Sequence, residues 1–211
     1  MEQQIRVPAV PVPLRPLNRP ADWSVDGDGA LTLGAGPGTD LFSDPGGPDR
    51  FANAPALIGR VEGDFVLTAR VTTGLAATYD AGVLLLYAGE DNWAKLCLEV
   101  SPQGAPTVVS VVTRGVSDDC NGLTLDSGEA WLRVARVGPA YAFHASTDGG
   151  FWHLVRYFAL TAGTEAGPGP APGQVPEVGF LAQSPTGAGN TVRFSDIECA
   201  PRTLADLRGG G

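Results

Sequence analysis

Histidine, cysteine and charge are all scarce in this chain, and each scarcity removes a class of function. The two histidines, His144 and His153, are too few and too isolated to build a zinc site. The three cysteines, Cys97, Cys120 and Cys199, are an odd number at wide and irregular spacing. That pattern gives neither a disulfide framework nor a CxxC knuckle, so they read as reduced thiols. Only 18% of residues are charged, and Lys+Arg 14 against Asp+Glu 23 leaves a net charge of -9. Such a balance opposes binding to nucleic acid or an anionic membrane, both of which need basic patches to neutralise phosphate. No apolar run is long enough to span a bilayer. The opening Met1-Glu2-Gln3-Gln4-Ile5-Arg6 lacks a basic region followed by an apolar signal core, so a cytoplasmic location is expected.

What is abundant is turn chemistry. Gly 29 and Pro 18 accompany 43% hydrophobic residues, which suits many short strands joined by tight turns. At 211 residues the chain fits one large all-β domain. The expected layout is a proline-rich arm over 1–21 (Pro8, Pro11, Pro13, Pro16, Pro20), extended on the surface, one domain over 22–203, and a tail over 204–211 containing one short helical turn. Strand-like runs recur between turn signals such as Glu62-Gly63-Asp64 and Thr147-Asp148-Gly149-Gly150, which predicts two stacked antiparallel sheets. The glycine- and proline-rich stretch 163–176 is expected to be a surface loop. The irregular segment from Gly34 to Pro48, with Asp40 in it, is a candidate site rim.

The most informative run is Trp93-Ala94-Lys95-Leu96-Cys97-Leu98-Glu99-Val100. Strict alternation sorts Ala94, Leu96, Leu98 and Val100 onto one face, for a core, and Trp93, Lys95, Cys97 and Glu99 onto the other. Lys95 and Glu99 stand about 13 Å apart along the strand, so each is expected to find another partner, with Arg133, Arg156 and Ser110 the cross-strand candidates. The gap between them is about the size of a sugar ring or carboxylate metabolite. Burial of Trp93 under a neighbouring loop is the alternative to its stacking on a sugar face.

Elsewhere, Asp80 reads as a turn former. Ser117-Asp118-Asp119-Cys120 reads as a strand-end loop in which Asp118 either caps a turn or meets a ligand. His144 reads as a hydrogen-bonded sheet residue, and Cys97 as a small packed thiol beside Lys95. No cofactor is expected. Calcium is the one metal that Asp40, Asp44 and Asp49, or Asp118 and Asp119, could take, though without the regular spacing of a dedicated loop.

Thr39-Asp40-Leu41-Phe42, Tyr79-Asp80-Ala81-Gly82-Val83, Asp91-Asn92-Trp93-Ala94-Lys95-Leu96-Cys97-Leu98-Glu99, Ser117-Asp118, Trp152 with Arg156, and Ser184-Pro185 together resemble an uncharacterised family that includes the fungal regulator-of-enolase protein. The resemblance covers roughly 22–200. It implies a concanavalin A-like lectin/glucanase jelly-roll sandwich in which one sheet forms a groove, with Trp93, Lys95, Glu99, Asp118 and Arg156 as family positions. The aromatic that relatives often carry after the Asp is here Asp119. Retaining glucanases of this fold resemble strands bearing two acids, whereas here Lys95 stands where the second acid is expected.

The expected function is non-catalytic binding of a carbohydrate or small anionic metabolite in a concave groove. Its floor would be Trp93, Lys95, Glu99 and Arg156, with Asp118, Arg133 and Asp40 as further ligand-binding residues. A glycosidase or lyase is the first alternative, and an interaction protein that regulates a metabolic enzyme is the second. The chain is expected as a monomer or homodimer, with no nucleic-acid or membrane partner.

Overall fold

The computed structural model describes residues 4–160 and 175–211, so residues 163–174 of the expected loop lie outside the described residues. Among the described residues there are sixteen strands and no helix. In chain order the first eight are β1 (Arg15–Pro16), β2 (Trp23–Val25), β3 (Leu31–Ala35), β4 (Leu41–Ser43), β5 (Arg50–Ala52), β6 (Ala56–Gly59), β7 (Phe65–Thr73) and β8 (Ala81–Tyr87). The rest are β9 (Asn92–Val100), β10 (Pro106–Arg114), β11 (Val116–Thr124), β12 (Glu129–Val137), β13 (Ala140–Ser146), β14 (His153–Phe158), β15 (Glu177–Gln183) and β16 (Asn190–Ala200).

Two seven-stranded sheets stack face to face. The first runs β1-β6-β15-β8-β9-β10-β11 and the second β14-β13-β12-β7-β16-β3-β2, while β4 and β5 form a separate hairpin. Neighbouring strands are antiparallel throughout. The alternation read in β9 explains its place. Ala94, Leu96 and Leu98 enter the core between the sheets, and Trp93 and Cys97 enter a second apolar cluster on the outer face of the first sheet. β8 is apolar at nearly every position because both its faces are covered, Leu84 and Leu86 by the inter-sheet core and Val83 and Leu85 by the outer cluster. Each fully buried leucine contributes about 1.5–3 kcal/mol.

Two glycines are dictated by close approach. A Cβ on Gly179 would lie 1.9 Å from the Leu57 carbonyl oxygen, and one on Gly82 would lie 2.5 Å from Val71 Cγ1 in the inter-sheet core.

Three expectations change. The proline-rich arm is part of the core: Ile5, Val7, Val10 and Leu14 are buried in it, and Arg15–Pro16 pairs with β6. The tail forms no helical turn. It closes on itself through hydrogen bonds between Asp206 and Gly211 and packs Leu204 and Leu207 on the outer face of the second sheet, where Val66, Ala135 and Ala142 lie. Residues 117–122 are a strand and not a loop. The polar run Val116-Ser117-Asp118-Asp119-Cys120-Asn121-Gly122 carries no apolar alternation because β11 is the edge of its sheet.

Candidate functional site

The outer face of the first sheet carries the site. Register places Lys95 between Leu85 and Val111, with Asp119 one strand further on, opposite Val111. Glu99 lies between Ala81 and Thr107, and Gln183 lies opposite Ala81 on the other side. The segment around the β4–β5 hairpin lies over this face. Its backbone is fastened at one end by the Thr39–Ser184 bridge and by Asn53, whose side chain accepts from Asp40 N at 2.9 Å. At the other end Ser43 N donates to Ser117 Oγ at 2.9 Å, while Arg50 pairs with Asp91 and donates to the Gly115 carbonyl at 3.1 Å. Between sheet and hairpin is a cavity of about 390 Å³, lined by Asp40, Phe42, Phe51, Tyr79, Lys95, Glu99, Val109, Val111, Asp119, Gln183 and Pro185, among others. A cavity of that size suits one small ligand.

Lys95 is 3% exposed and fully engaged. Its Nζ donates to Gln183 Oε1 at 3.0 Å and lies 3.5 Å from Asp40 Oδ1. Burial opposes its charge, but the carboxylates of Asp40, Glu99 and Asp119 more than restore it, and the ammonium is held above the ordinary lysine range. Gln183 is fixed in turn, since its amide donates to the Tyr79 carbonyl at 3.1 Å.

Glu99 is 8% exposed, and its carboxylate makes no hydrogen bond or ion pair to any described residue. Burial raises it from 4.5 to about 7, against the pull of Lys95 and with help from Asp119 and Asp40. Asp119, at the more open end, is also raised by burial, partly offset by Lys95 and by the backbone N–H of Cys120. Cys97 lies beneath the site as a protonated thiol, because burial drives it well above the usual thiol range despite Lys95. Tyr79, 40% exposed on the rim, holds a left-handed φ of 68°, a strained backbone for a bulky residue at a cavity edge.

The predicted site residues separate into those the fold brings together and those it does not. Lys95, Glu99 and Asp40 meet in the cavity. Trp93 is on the right face but 1% exposed, packed in the outer cluster with Leu41, Leu85 and Val111, so it supports the site from below and offers no stacking plate. Asp118 and Arg156 are absent from the cavity. Arg156 Nη2 pairs with Asp118 Oδ1 at 3.0 Å and Nη1 with the Asp118 carbonyl at 3.0 Å, closing the edges of the two sheets on each other. Arg133 lies on the outer face of the second sheet, stacked 3.7 Å from the Trp152 ring centroid and donating to the Gly210 carbonyl at 2.6 Å. Ser110 pairs with Leu96 and so faces away from Lys95.

His144 keeps the expected structural role, with Nε2 2.7 Å from the Leu207 carbonyl of the tail. Asp80 is a loop brace, accepting from Ala77 N at 3.0 Å and Ser184 Oγ at 2.7 Å. Among the described residues no group of three or more His, Cys, Asp or Glu is arranged to hold a metal ion.

Asp119, Gln183, Phe42, Phe51 and Tyr79 line the cavity without being among the expected ligand-binding residues, Asp119 having entered only as a possible calcium ligand. Asp119 was missed by one position: in a strand a shift of one residue changes the face, and reading 117–122 as a loop removed the alternation that assigns Asp119 to the face of Lys95. Phe42 and Phe51 are cross-strand partners in the hairpin, a pairing invisible until the segment is known to fold back.

A family model described as a protein of unknown function, DUF1349, matches residues 17–202. The chain belongs to that family. A search of curated proteins finds no match. Among solved structures, a functionally unknown protein from Saccharomyces cerevisiae superposes with this DUF1349 chain at a TM-score of 0.78 and 22% identity, covering 90% of this chain and 97% of that one. The GH43 BlXynB protein from Bacillus licheniformis gives 0.69 at 19% identity over 87% of this chain and 36% of its own. A xylan beta-1,4-xylosidase from Bacillus halodurans C-125 gives 0.64 at 12% identity over 84% and 34%. The DUF1349 chain therefore spans about a third of these two. At such identities the likeness shows the fold, an all-β concanavalin A-like jelly-roll sandwich.

Proposed function

We propose that the cavity between the first sheet and the β4–β5 hairpin binds a carbohydrate without cleaving it. The observation that carries this reading is Glu99, a buried carboxylate with no protein partner facing an aromatic-edged cavity. Its oxygens open into the cavity and receive no donor from the protein, and a ligand hydroxyl would supply one. Phe51 and Tyr79, 46% and 40% exposed, line the same space, which suits the apolar face of a sugar. Three carboxyl groups against one lysine argue against a small anionic metabolite, since Lys95 is already matched by Asp40. The fold shared with part of a xylan beta-1,4-xylosidase is consistent with this choice.

The glycosidase reading gains from the structure an acid that spacing did not show, because Asp119 enters the cavity with Glu99. These two lie two strands apart and four residues apart in register, which places their Cα atoms roughly 16 Å from each other at ordinary sheet spacings. The two-carboxylate retaining reaction needs about 5–5.5 Å between carboxyl groups, a separation that backbone positions this far apart do not favour. A thermal-shift screen against neutral, amino and acidic sugars, run with wild type and Phe51→Ala, tests the binding reading. A sugar-dependent shift that shrinks in Phe51→Ala supports it. Turnover of an aryl glycoside, lost in Glu99→Gln, would replace it with the enzymatic one.

A further inference from the structure

We propose that the cavity contains a cation subsite at Glu99, and that the sugar it takes carries a protonated amine. The inference rests on the carbohydrate reading and sharpens it. Of the charged groups lining the cavity, three are carboxyls and one is an ammonium. That ammonium is committed, since Lys95 Nζ faces Gln183 Oε1 at 3.0 Å and Asp40 Oδ1 at 3.5 Å and forms no ion pair with Glu99. Glu99 is more than nine-tenths buried and unpartnered among the described residues, while Asp119 lines the same space.

Burial disfavours the charged form of this carboxyl and raises it from 4.5 to about 7. A ligand ammonium offers three N–H donors and the opposite charge at once, and stabilises the ionised form. The groups that act on Glu99 are Lys95, Asp119 and Asp40, with the Cys97 thiol uncharged on the same face. Asp40 is matched by Lys95, so Asp119 is the further group that favours a cation. Phe42, Phe51 and Tyr79 line the same cavity, an aromatic composition that suits a cation. A uronic acid or a sugar phosphate would place an anion against Glu99 and Asp119 and is selected against.

Titration calorimetry at pH 7 with glucosamine, glucose, N-acetylglucosamine, glucuronate and methylammonium chloride, on wild type and Glu99→Gln, tests the proposal. Glucosamine is expected to bind at least about tenfold more tightly than glucose or N-acetylglucosamine, as a charged hydrogen bond contributes about 1.5–3 kcal/mol. Glucuronate should be weakest, methylammonium alone should be weaker than glucosamine, and the amine preference should fall close to one in Glu99→Gln. Neutral sugars that bind as tightly as glucosamine, or an amine preference that survives Glu99→Gln, would overturn the cation subsite and leave the carbohydrate reading standing. If none of the sugars binds, both fail. Methylammonium binding as tightly as glucosamine would mean the site takes an amine and not a sugar.

Discussion

Replacing Glu99 by glutamine should make the protein more stable at neutral and alkaline pH, the reverse of what loss of a native charged group usually does. Glu99 ionises near pH 7 in the folded protein, against an ordinary value of 4.5. Between roughly pH 4.5 and 7 the folded state therefore keeps a proton that the unfolded state has released, so stability falls as pH rises through that window and levels off above it. The span from 4.5 to about 7, at about 1.36 kcal/mol per pH unit, corresponds to about 3 kcal/mol. Glutamine keeps the shape of the neutral acid and cannot ionise. Glu99→Gln should thus match wild type near pH 4.5 and exceed it by up to about 3 kcal/mol at pH 8. For a chain of this length that is roughly 6–12 °C in melting temperature. Other titrating groups, including His144 and Asp119, are present in both proteins, so the difference between the two melting curves across pH isolates Glu99. Thermal or urea melts from pH 4.5 to 8 measure it. A constant difference between the two proteins across that range would refute the assignment of Glu99 as a buried, unmatched carboxyl.

Lys95→Met removes the partner of Asp40 and the donor to Gln183 in a buried place, and should cost about 3 kcal/mol or more in a urea melt. Gly179→Ala drives a methyl group to 1.9 Å from the Leu57 carbonyl oxygen and should cost at least the 1–3 kcal/mol typical of overpacking, read as a lower melting temperature. Asp118→Asn and Asp119→Asn should separate cleanly despite being neighbours. The first loosens an exposed ion pair to Arg156, by less than about 1 kcal/mol, and leaves ligand affinity alone, whereas the second lowers ligand affinity with little change in stability.

The fold was largely legible because alternation carries it. Ala94, Leu96 and Leu98 against Trp93, Lys95 and Cys97 described two faces of β9 that the structure keeps, and the continuous apolar run of β8 marked a strand covered on both sides. The site was legible only where one strand holds it. Lys95 and Glu99 share β9, and Asp40 lies on a segment already marked as a rim. Arg133 and Arg156 stand in the other sheet, because nothing in local sequence says which of two stacked sheets a strand joins. Trp93 had the right face, but whether an outward tryptophan meets solvent or a covering hairpin depends on the Leu41–Ala52 segment folding back. Asp119 was lost because a polar edge strand has no apolar period to read. The tail differs from the expected helical turn because its conformation is held by the second sheet, through His144 and Arg133, and not by its own sequence.

Saturation-transfer NMR with a series of neutral and amino saccharides, on wild type and Phe51→Ala, tests carbohydrate binding in the cavity most directly. Binding between the hairpin and β9 predicts transfer to sugar ring protons in the wild-type protein and a marked loss of it in Phe51→Ala, which removes an exposed ring without touching the core. No transfer from any saccharide, or equal transfer in both proteins, would contradict it.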